Sequence, residues 1–216
     1  MAIDSKAALL PLLASYPSRV GPSDEELVEH FQGGDTSAFE TLVRRWDRRI
    51  QGLIYRVVGG EEEARDLCQE TFLRAYRGLG TFKKEARFSS WLYQIALNAS
   101  RDRLRRRRGR SYVSLDEAGE VVELRSASPA RSPLELVEAQ DLSRTVSTAV
   151  EALPEEQREV IVLKEFQGLT FVEIADILSV PVSTVKTRLY RGLAELRRRL
   201  ERQGIRGTAA LSATAP

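Results

Sequence analysis

Apolar residues recur at three- and four-residue steps through most of this chain, and glycine, proline and capping residues mark the breaks between periodic runs. Ser23 with Glu26 forms a capping box that opens a first helix, closed by Gly33-Gly34. A second helix from about Thr36 carries Phe39, Leu42, Val43, Trp46, Ile50, Leu53, Ile54 and Val57 on one side, until Gly59-Gly60 stops it. The third runs from about Glu61 to Leu79. Ala64, Leu67, Cys68, Thr71, Phe72, Ala75 and Tyr76 form its inner side, and Asp66, Gln69, Glu70, Leu73, Arg74 and Arg77 look outward. A fourth starts near Ser89 or Ser90, carries Trp91, Leu92, Ile95, Ala96 and Ala99, and ends in a basic run.

The pattern then fails. Residues 109–132 mix Ser, Pro, Gly and acidic residues without helical period and read as a flexible linker. Ser132-Pro133-Leu134-Glu135 restarts a helix with an N-cap, a proline and a glutamate three residues on, and that helix reaches about Ala152. Leu153-Pro154 breaks it, and a further helix spans Glu155 to Phe166 with Val160, Ile161 and Leu163 inside. The segment Thr170 to Leu200 carries two more. Thr170 and Glu173 make a second capping box, and Ile174, Ala175 and Leu178 an apolar side. Ser179-Val180-Pro181 turns the chain, with Pro181 suited to the first turn of the next helix. Val185, Leu189, Leu193, Leu196 and Leu200 then form one buried stripe. The opposite face holds Ser183, Lys186, Thr187, Tyr190, Arg191, Arg197 and Arg198, which is the plan of a helix-turn-helix that reads the major groove. An αα-hairpin with a solvated basic face has the same outline. Donors of several lengths at the start of the second helix, including Ser183 and Thr184, favour the groove.

The expected fold is therefore all-α: two small helical domains, 23–108 and 133–203, joined by the flexible linker 109–132, the second a helix-turn-helix domain. Residues 1–22, with Pro11, Pro17 and Pro22, read as a disordered leader, and 204–216 as a small-residue tail.

Composition changes this picture little. Charged residues make up 30% of the 216 and hydrophobic ones 42%, yet the net charge is only +2, so any nucleic-acid footprint must be local. The single cysteine excludes an internal disulfide, and one Cys with one His leaves no zinc or other metal site. No apolar run reaches membrane-spanning length. The patch from Ala7 to Leu13 is interrupted by Pro11 and lacks the basic lead of a signal peptide, so a cytoplasmic protein is expected.

One further constellation carries chemistry: Phe82, Lys83, Lys84, Arg87, Phe88, Trp91, Tyr93, Asn98, Arg101 and Arg103. Aromatics interleaved with cations suit single-stranded DNA, where bases stack at about 1–3 kcal/mol each and cations track phosphates. Helical spacing favours a core role for Trp91 and Ile95, whereas Phe82 and Asn98 are less easily placed in a core. Arg101, Arg103, Arg105, Arg106, Arg107, Arg108 and Arg110 fill seven of ten positions and would repel one another without an anionic partner.

These segments together resemble the extracytoplasmic-function class of sigma factors of bacterial RNA polymerase. The residues that carry the resemblance are Asp66-Leu67-Cys68-Gln69-Glu70-Thr71-Phe72-Leu73-Arg74-Ala75-Tyr76 and Phe88-Ser89-Ser90-Trp91-Leu92-Tyr93-Gln94-Ile95-Ala96-Leu97-Asn98. Near the C-terminus they are Leu153-Pro154-Glu155-Glu156-Gln157-Arg158 and Pro181-Val182-Ser183-Thr184-Val185-Lys186-Thr187-Arg188-Leu189. The resemblance spans about Asp24 to Arg202 and implies the family's second and fourth sigma domains. It implies that Asp66, Gln69, Glu70, Leu73 and Arg74 dock on a coiled coil of the polymerase's largest subunit, with the flap region a second contact. It implies that Phe82, Lys83, Phe88, Trp91 and Asn98 capture the −10 non-template strand, with Arg101 and Arg103 on the backbone. It implies that Lys186, Thr187, Tyr190 and Arg191, with Ser183 and Thr184 at the helix start, read the −35 duplex. An anti-sigma factor covering both DNA-binding domains is implied as a partner, and linker acids Asp116, Glu117, Glu120 and Glu123 could mimic nucleic acid near the RNA exit path. Ser183 stands where the family often has glycine. The family's additional middle domain, the acidic leader of primary sigma factors and a large C-terminal extension are not in the pattern.

Two other readings compete. A stand-alone helix-turn-helix regulator would need a sensing pocket or dimer face in the first domain, which instead offers an exposed polar helix and an aromatic-basic loop. A nucleic-acid enzyme would need paired carboxylates, a histidine-rich site or a glycine-rich phosphate loop, and none is present, so no catalytic residue and no cofactor is expected.

Overall fold

The structure, a computed structural model, describes residues 21–83, 87–111 and 145–203, with the side chains of 109–111 excepted. All regular elements among these residues are helical. Lys84, residues 1–20 of the expected leader, the linker acids, the start signal at Ser132-Pro133 and the tail 204–216 lie outside the described residues.

Helix α1, Asp24–Gln32, begins with the expected capping box, both halves of which form at Ser23 and Glu26. Asp24 ties it to α2: its carboxylate accepts from Trp46 Nε1 at 3.0 Å and pairs with Arg45. Helix α2, Ser37–Val58, starts one residue later than expected, because Thr36 makes no side-chain cap and Asp35 Oδ1 accepts from Ser37 N at 3.0 Å instead. It ends at Gly59, whose φ of 87° is open to glycine without strain. Helix α3, Glu61–Leu79, has the expected bounds. Tyr76, expected on its inner side, is 45% exposed, its ring edge-on to Phe39 at 5.1 Å. Helix α4, Phe88–Ser111, starts just ahead of the expected serines and runs three residues past the expected domain edge at 108.

In the C-terminal unit, α5 is described over 145–151, followed by α6, Glu155–Ile161. The expected helix to Phe166 is completed by a π turn, Val162–Phe166, in which Gln167 N reaches Val162 O at 3.2 Å, five residues back. Gly168, at φ 69°, then releases the chain. Helix α7, Phe171–Leu178, carries the second capping box, and Ser179 closes it in the left-handed region at φ 54°. Helix α8, Val182–Arg202, has Pro181 as its N-cap rather than inside its first turn.

Helix α2 is the centre of the N-terminal core. Leu42, Ile50, Leu53 and Ile54 have no exposed surface and meet Ala75 and Leu79 of α3 and Phe88, Leu92 and Ala96 of α4. Val160, Ile161, Leu163, Ile174 and Val185 form the C-terminal core. The two units pack on one another, α4 against α7 and α2 against α6 and the π turn. Among the described residues no helix is long and apolar enough to cross a membrane.

Candidate nucleic-acid interface

Helix periodicity in α8 turns its apolar stripe inward and leaves a polar face outward. Val185 and Leu189 are buried, while Ser183, Lys186, Thr187, Tyr190 and Arg191 are exposed, Tyr190 by 62%. Thr184 is half-buried, so its part on this face is smaller than expected. Thr187 Oγ1 donates to Ser183 O at 2.9 Å, and Lys186 Nζ lies 5.6 Å from the Phe171 ring centroid. Gly192 lets α6 approach α8: a Cβ there would stand 2.8 Å from Ile161 Cδ1. The outcome is a rigid rod with a free face of hydroxyl, ammonium, phenol and guanidinium donors, suited to base edges and phosphates.

The aromatic-basic segment is built differently. Gln32 Nε2 donates to the carbonyls of Leu79 and Phe82, both at 2.9 Å, and so pins the loop after α3. The Phe82 and Trp91 rings then meet with centroids 4.8 Å apart. Trp91 lies against Gly78, where an added Cβ would come within 3.0 Å of its Cζ2. Both rings are half-buried and each keeps some surface for stacking, and Lys83 beside them is exposed. Phe88 is different. It has no exposed surface and packs edge-on to Trp46 at 6.3 Å, so the expectation that it touches DNA is corrected: it is a core residue that supports Trp91. A first helical position beside Trp91 looks the same in sequence whichever way it faces. Tyr93 is also buried, its phenol donating to Gln167 Oε1 at 2.9 Å and pushed up to about 12 by burial.

Asn98 is exposed and its Oδ1 accepts from Arg101 Nη1 at 3.3 Å. Arg101 itself grips Glu159 with two bonds, Nε to Oε1 at 2.6 Å and Nη2 to Oε2 at 2.7 Å. The bond to Glu159 holds the Arg101 guanidinium above its ordinary value, while burial, opposed by Arg101, raises the Glu159 carboxyl. Arg103 pairs with Glu63, Arg105 with Asp102 and Arg108 with Glu155. Four of the seven arginines of the run thus find an anionic partner within the chain.

The third surface is the outer face of α3. Asp66, Gln69 and Leu73 are exposed, Leu73 by 58%, and Glu70 pairs with Arg74 one turn on. Beside them lies an apolar groove of about 750 Å³ between α2 and α3 that includes Phe39, Val43, Cys68, Phe72, Leu73 and Tyr76. The α2 wall was missed in the sequence, where Phe39 and Val43 carry the same period as the core. Burial first, and then Asp47, pushes the Cys68 thiol up to about 12. Among the described residues no group of three or more His, Cys, Asp or Glu side chains could hold a metal ion.

Comparisons with known proteins agree with this arrangement. The family Sigma-70 region 2 matches residues 42–110, and Sigma-70, region 4 matches residues 143–196. The chain is 38% identical over 172 residues to the RNA polymerase sigma-H factor of Pseudomonas aeruginosa, covering 78% of this chain and 89% of that protein. It is 38% identical over 176 residues to the ECF RNA polymerase sigma factor SigW of Bacillus subtilis, covering 80% of this chain and 94% of that one. In structure it is similar to CnrH in complex with the cytosolic domain of CnrY, with a TM-score of 0.62 at 25% identity over 84% of this chain and 99% of that one. The fold also matches the sigma factor RpoE of Bartonella quintana in complex with the anti-sigma factor NepR, with a TM-score of 0.62 at 21% identity over 76% of this chain and 96% of that one.

Proposed function

The chain belongs to the sigma-70 family of RNA polymerase sigma factors, in its extracytoplasmic-function class, and from that premise we infer how its three surfaces divide the work of an alternative sigma factor that directs promoter-specific transcription initiation. The observation that carries this reading is the occurrence, in one chain and in this order, of a region 2 unit with an exposed α3 face and a region 4 unit with an exposed recognition helix. A stand-alone regulator is not supported, since its first unit would not match a polymerase-binding family.

In this reading Asp66, Gln69, Glu70, Leu73 and Arg74 dock on the coiled coil of the polymerase's largest subunit. The groove beside them accepts an apolar side chain from it. Phe82 and Trp91 stack an unpaired base of the −10 element, Asn98 bonds a base edge, and Lys83, Arg101 and Arg103 track the phosphates. Ser183, Thr184, Lys186, Thr187, Tyr190 and Arg191 face the −35 duplex, the shortest side chains setting the approach and the longest bonding bases or phosphates. The protein acts in the cytoplasm, where polymerase and promoter are, as an initiation factor and not as a catalyst. An anti-sigma factor is its regulator, a reading supported by the complex of the similarly folded sigma factor RpoE with the anti-sigma factor NepR.

Run-off transcription with core polymerase across genomic DNA tests the reading. Transcripts are expected from a restricted promoter set, and Lys186→Ala or Arg191→Ala should weaken promoters by about 1–3 kcal/mol per lost base contact. Transcription independent of the added protein, or tight operator binding without polymerase, overturns it.

A further inference from the structure

The turn that carries Phe82 is held by a side chain 50 positions earlier in the chain. Gln32 is the last residue of α1, and its Nε2 donates to two carbonyls at once, Leu79 O and Phe82 O, both at 2.9 Å. Two acceptors on one side of the amide fix its orientation, since Oε1 in place of the NH2 group would meet two carbonyl oxygens. Phe82 N also donates to Leu79 O, at 3.2 Å, so residues 79–82 form a tight turn and the amide closes it across both ends. The glutamine is itself well anchored. Its neighbour Phe31 packs edge-on to Tyr76 at 5.3 Å and tilted to Phe39 at 5.8 Å. Leu27 and Val28 are buried, and Asp24 fixes the start of α1 on α2 through Trp46. Gln32 is nevertheless exposed, so its side chain adds little to the core. What the amide fixes is the Phe82 ring, which meets Trp91 with centroids 4.8 Å apart and an interplanar angle of 43°. Trp91 has a seat of its own on α4 against Gly78 and Phe88, whereas Phe82 stands on a turn and needs a separate tether.

We propose that Gln32 is a positioning residue for promoter selectivity: its amide clamps the turn from Leu79 to Phe82 and so sets the Phe82 ring against Trp91 for one unpaired base, without itself touching DNA. The proposal rests on the assignment of Phe82 and Trp91 to the −10 strand. A base stacks on any aromatic face, so stacking alone tolerates sequence. Choice among bases needs the ring held at a fixed distance from the groups that bond the base edge. A platform set in advance also spares the ordering cost that a loose turn would take from binding. Lys83 follows Phe82 directly, and a long cationic side chain reaches a phosphate from several positions of its backbone, with no reading of the base. Loss of the clamp therefore lowers discrimination at one base more than it lowers overall affinity.

The test uses holoenzyme assembled from the full chain and core polymerase, with a pool of random-sequence single-stranded DNA and core polymerase alone as background. Sequencing the bound strands gives the base preference at each position, and total binding is measured on the same pool. Phe82→Ala marks the position that the ring reads. Gln32→Met keeps the side-chain length and the charge and removes both donors. It is expected to lower the preference at that same position by about fivefold, to leave the other positions as in the native protein, and to change total binding by no more than about twofold. Helix content and core binding should stay native, because Gln32 is exposed and lies off the α3 face. In the double variant the two losses should not add, since the glutamine acts through Phe82. A uniform fall across positions, a fall at a different position, additive losses, or full native preference at the marked position overturns the proposal. If Phe82→Ala itself marks no position, the assignment of the Phe82–Trp91 pair to the strand fails, and the proposal with it.

Discussion

The two helices proposed to read DNA are held in opposite ways. Helix α8 lies on its own core by a single stripe, packed mainly on α6 and α7, and turns Ser183, Lys186, Thr187, Tyr190 and Arg191, among others, to solvent. Helix α4 is embedded on several sides. Phe88, Leu92, Tyr93, Ala96, Leu97 and Ala99 are all buried, and Arg87, Arg101, Arg103 and Arg108 each have a carboxylate partner. The difference suits the DNA forms proposed for each. A duplex presents its edges to any rod that fits the groove, so its reader gains by being rigid and bare. An unpaired base must be gripped between aromatic rings, so its reader needs a scaffold behind those rings and cations that change partners.

The contrast predicts unequal roles for side chains of similar size. Phe88→Ala should destabilise the N-terminal unit by about 3–5 kcal/mol, whereas Tyr190→Ala on α8 should change stability by no more than about 0.5 kcal/mol. Circular dichroism in a urea titration, which reports both units, measures the two losses, and the fluorescence of Trp46 and Trp91, both in the N-terminal unit, marks that unit's share. Equal losses from the two substitutions would dissolve the distinction between embedded and bare helices.

The bare helix still depends on one close approach. Gly192→Val would drive a side chain into Ile161 and Gln157 and should cost about 1–3 kcal/mol, seen by circular dichroism as an earlier loss of helix without an earlier change in tryptophan fluorescence. A simultaneous change in both signals would mean that the units unfold as one.

The smallest effect concerns the caps. Thr170→Ala should cost about 1 kcal/mol at neutral pH. Hydrogen bonds from Thr170 hold the Glu173 carboxyl below its ordinary value of 4.5, so its contribution is present above that value and is lost as pH falls through the lower, folded one. The gap between native and Thr170→Ala melting temperatures should therefore narrow in acid. A gap that stays constant would mean the threonine acts without its glutamate. The Ser23 and Glu26 box, shifted the same way but without a contact to the other unit, is the control.

Local chemistry was legible in the sequence. Both capping boxes, the bounds of α3 between Gly60 and Gly80, and the exposed face of α8 follow from residues within one or two turns of each other. What the sequence hid has longer range. The Arg101–Glu159 pair spans 58 positions and leaves no period. Phe88 and Tyr76 both sit where a helical pattern assigns a face only within a turn, and tertiary packing reversed each: Phe88 went inward under Trp46 and Tyr76 outward beside Phe31. The π turn after Ile161, closed by the bond from Gln167 N to Val162 O, is announced by no residue preference.

The buried thiol has a consequence of another kind. With Cys68 pushed up to about 12 by burial, its sulfur stays a protonated thiol at neutral pH. The chain's single cysteine is therefore a poor target for peroxide or thiol exchange while the unit stays folded. Unfolding of the N-terminal unit, not a change of pH near neutrality, is what would expose this sulfur to such chemistry.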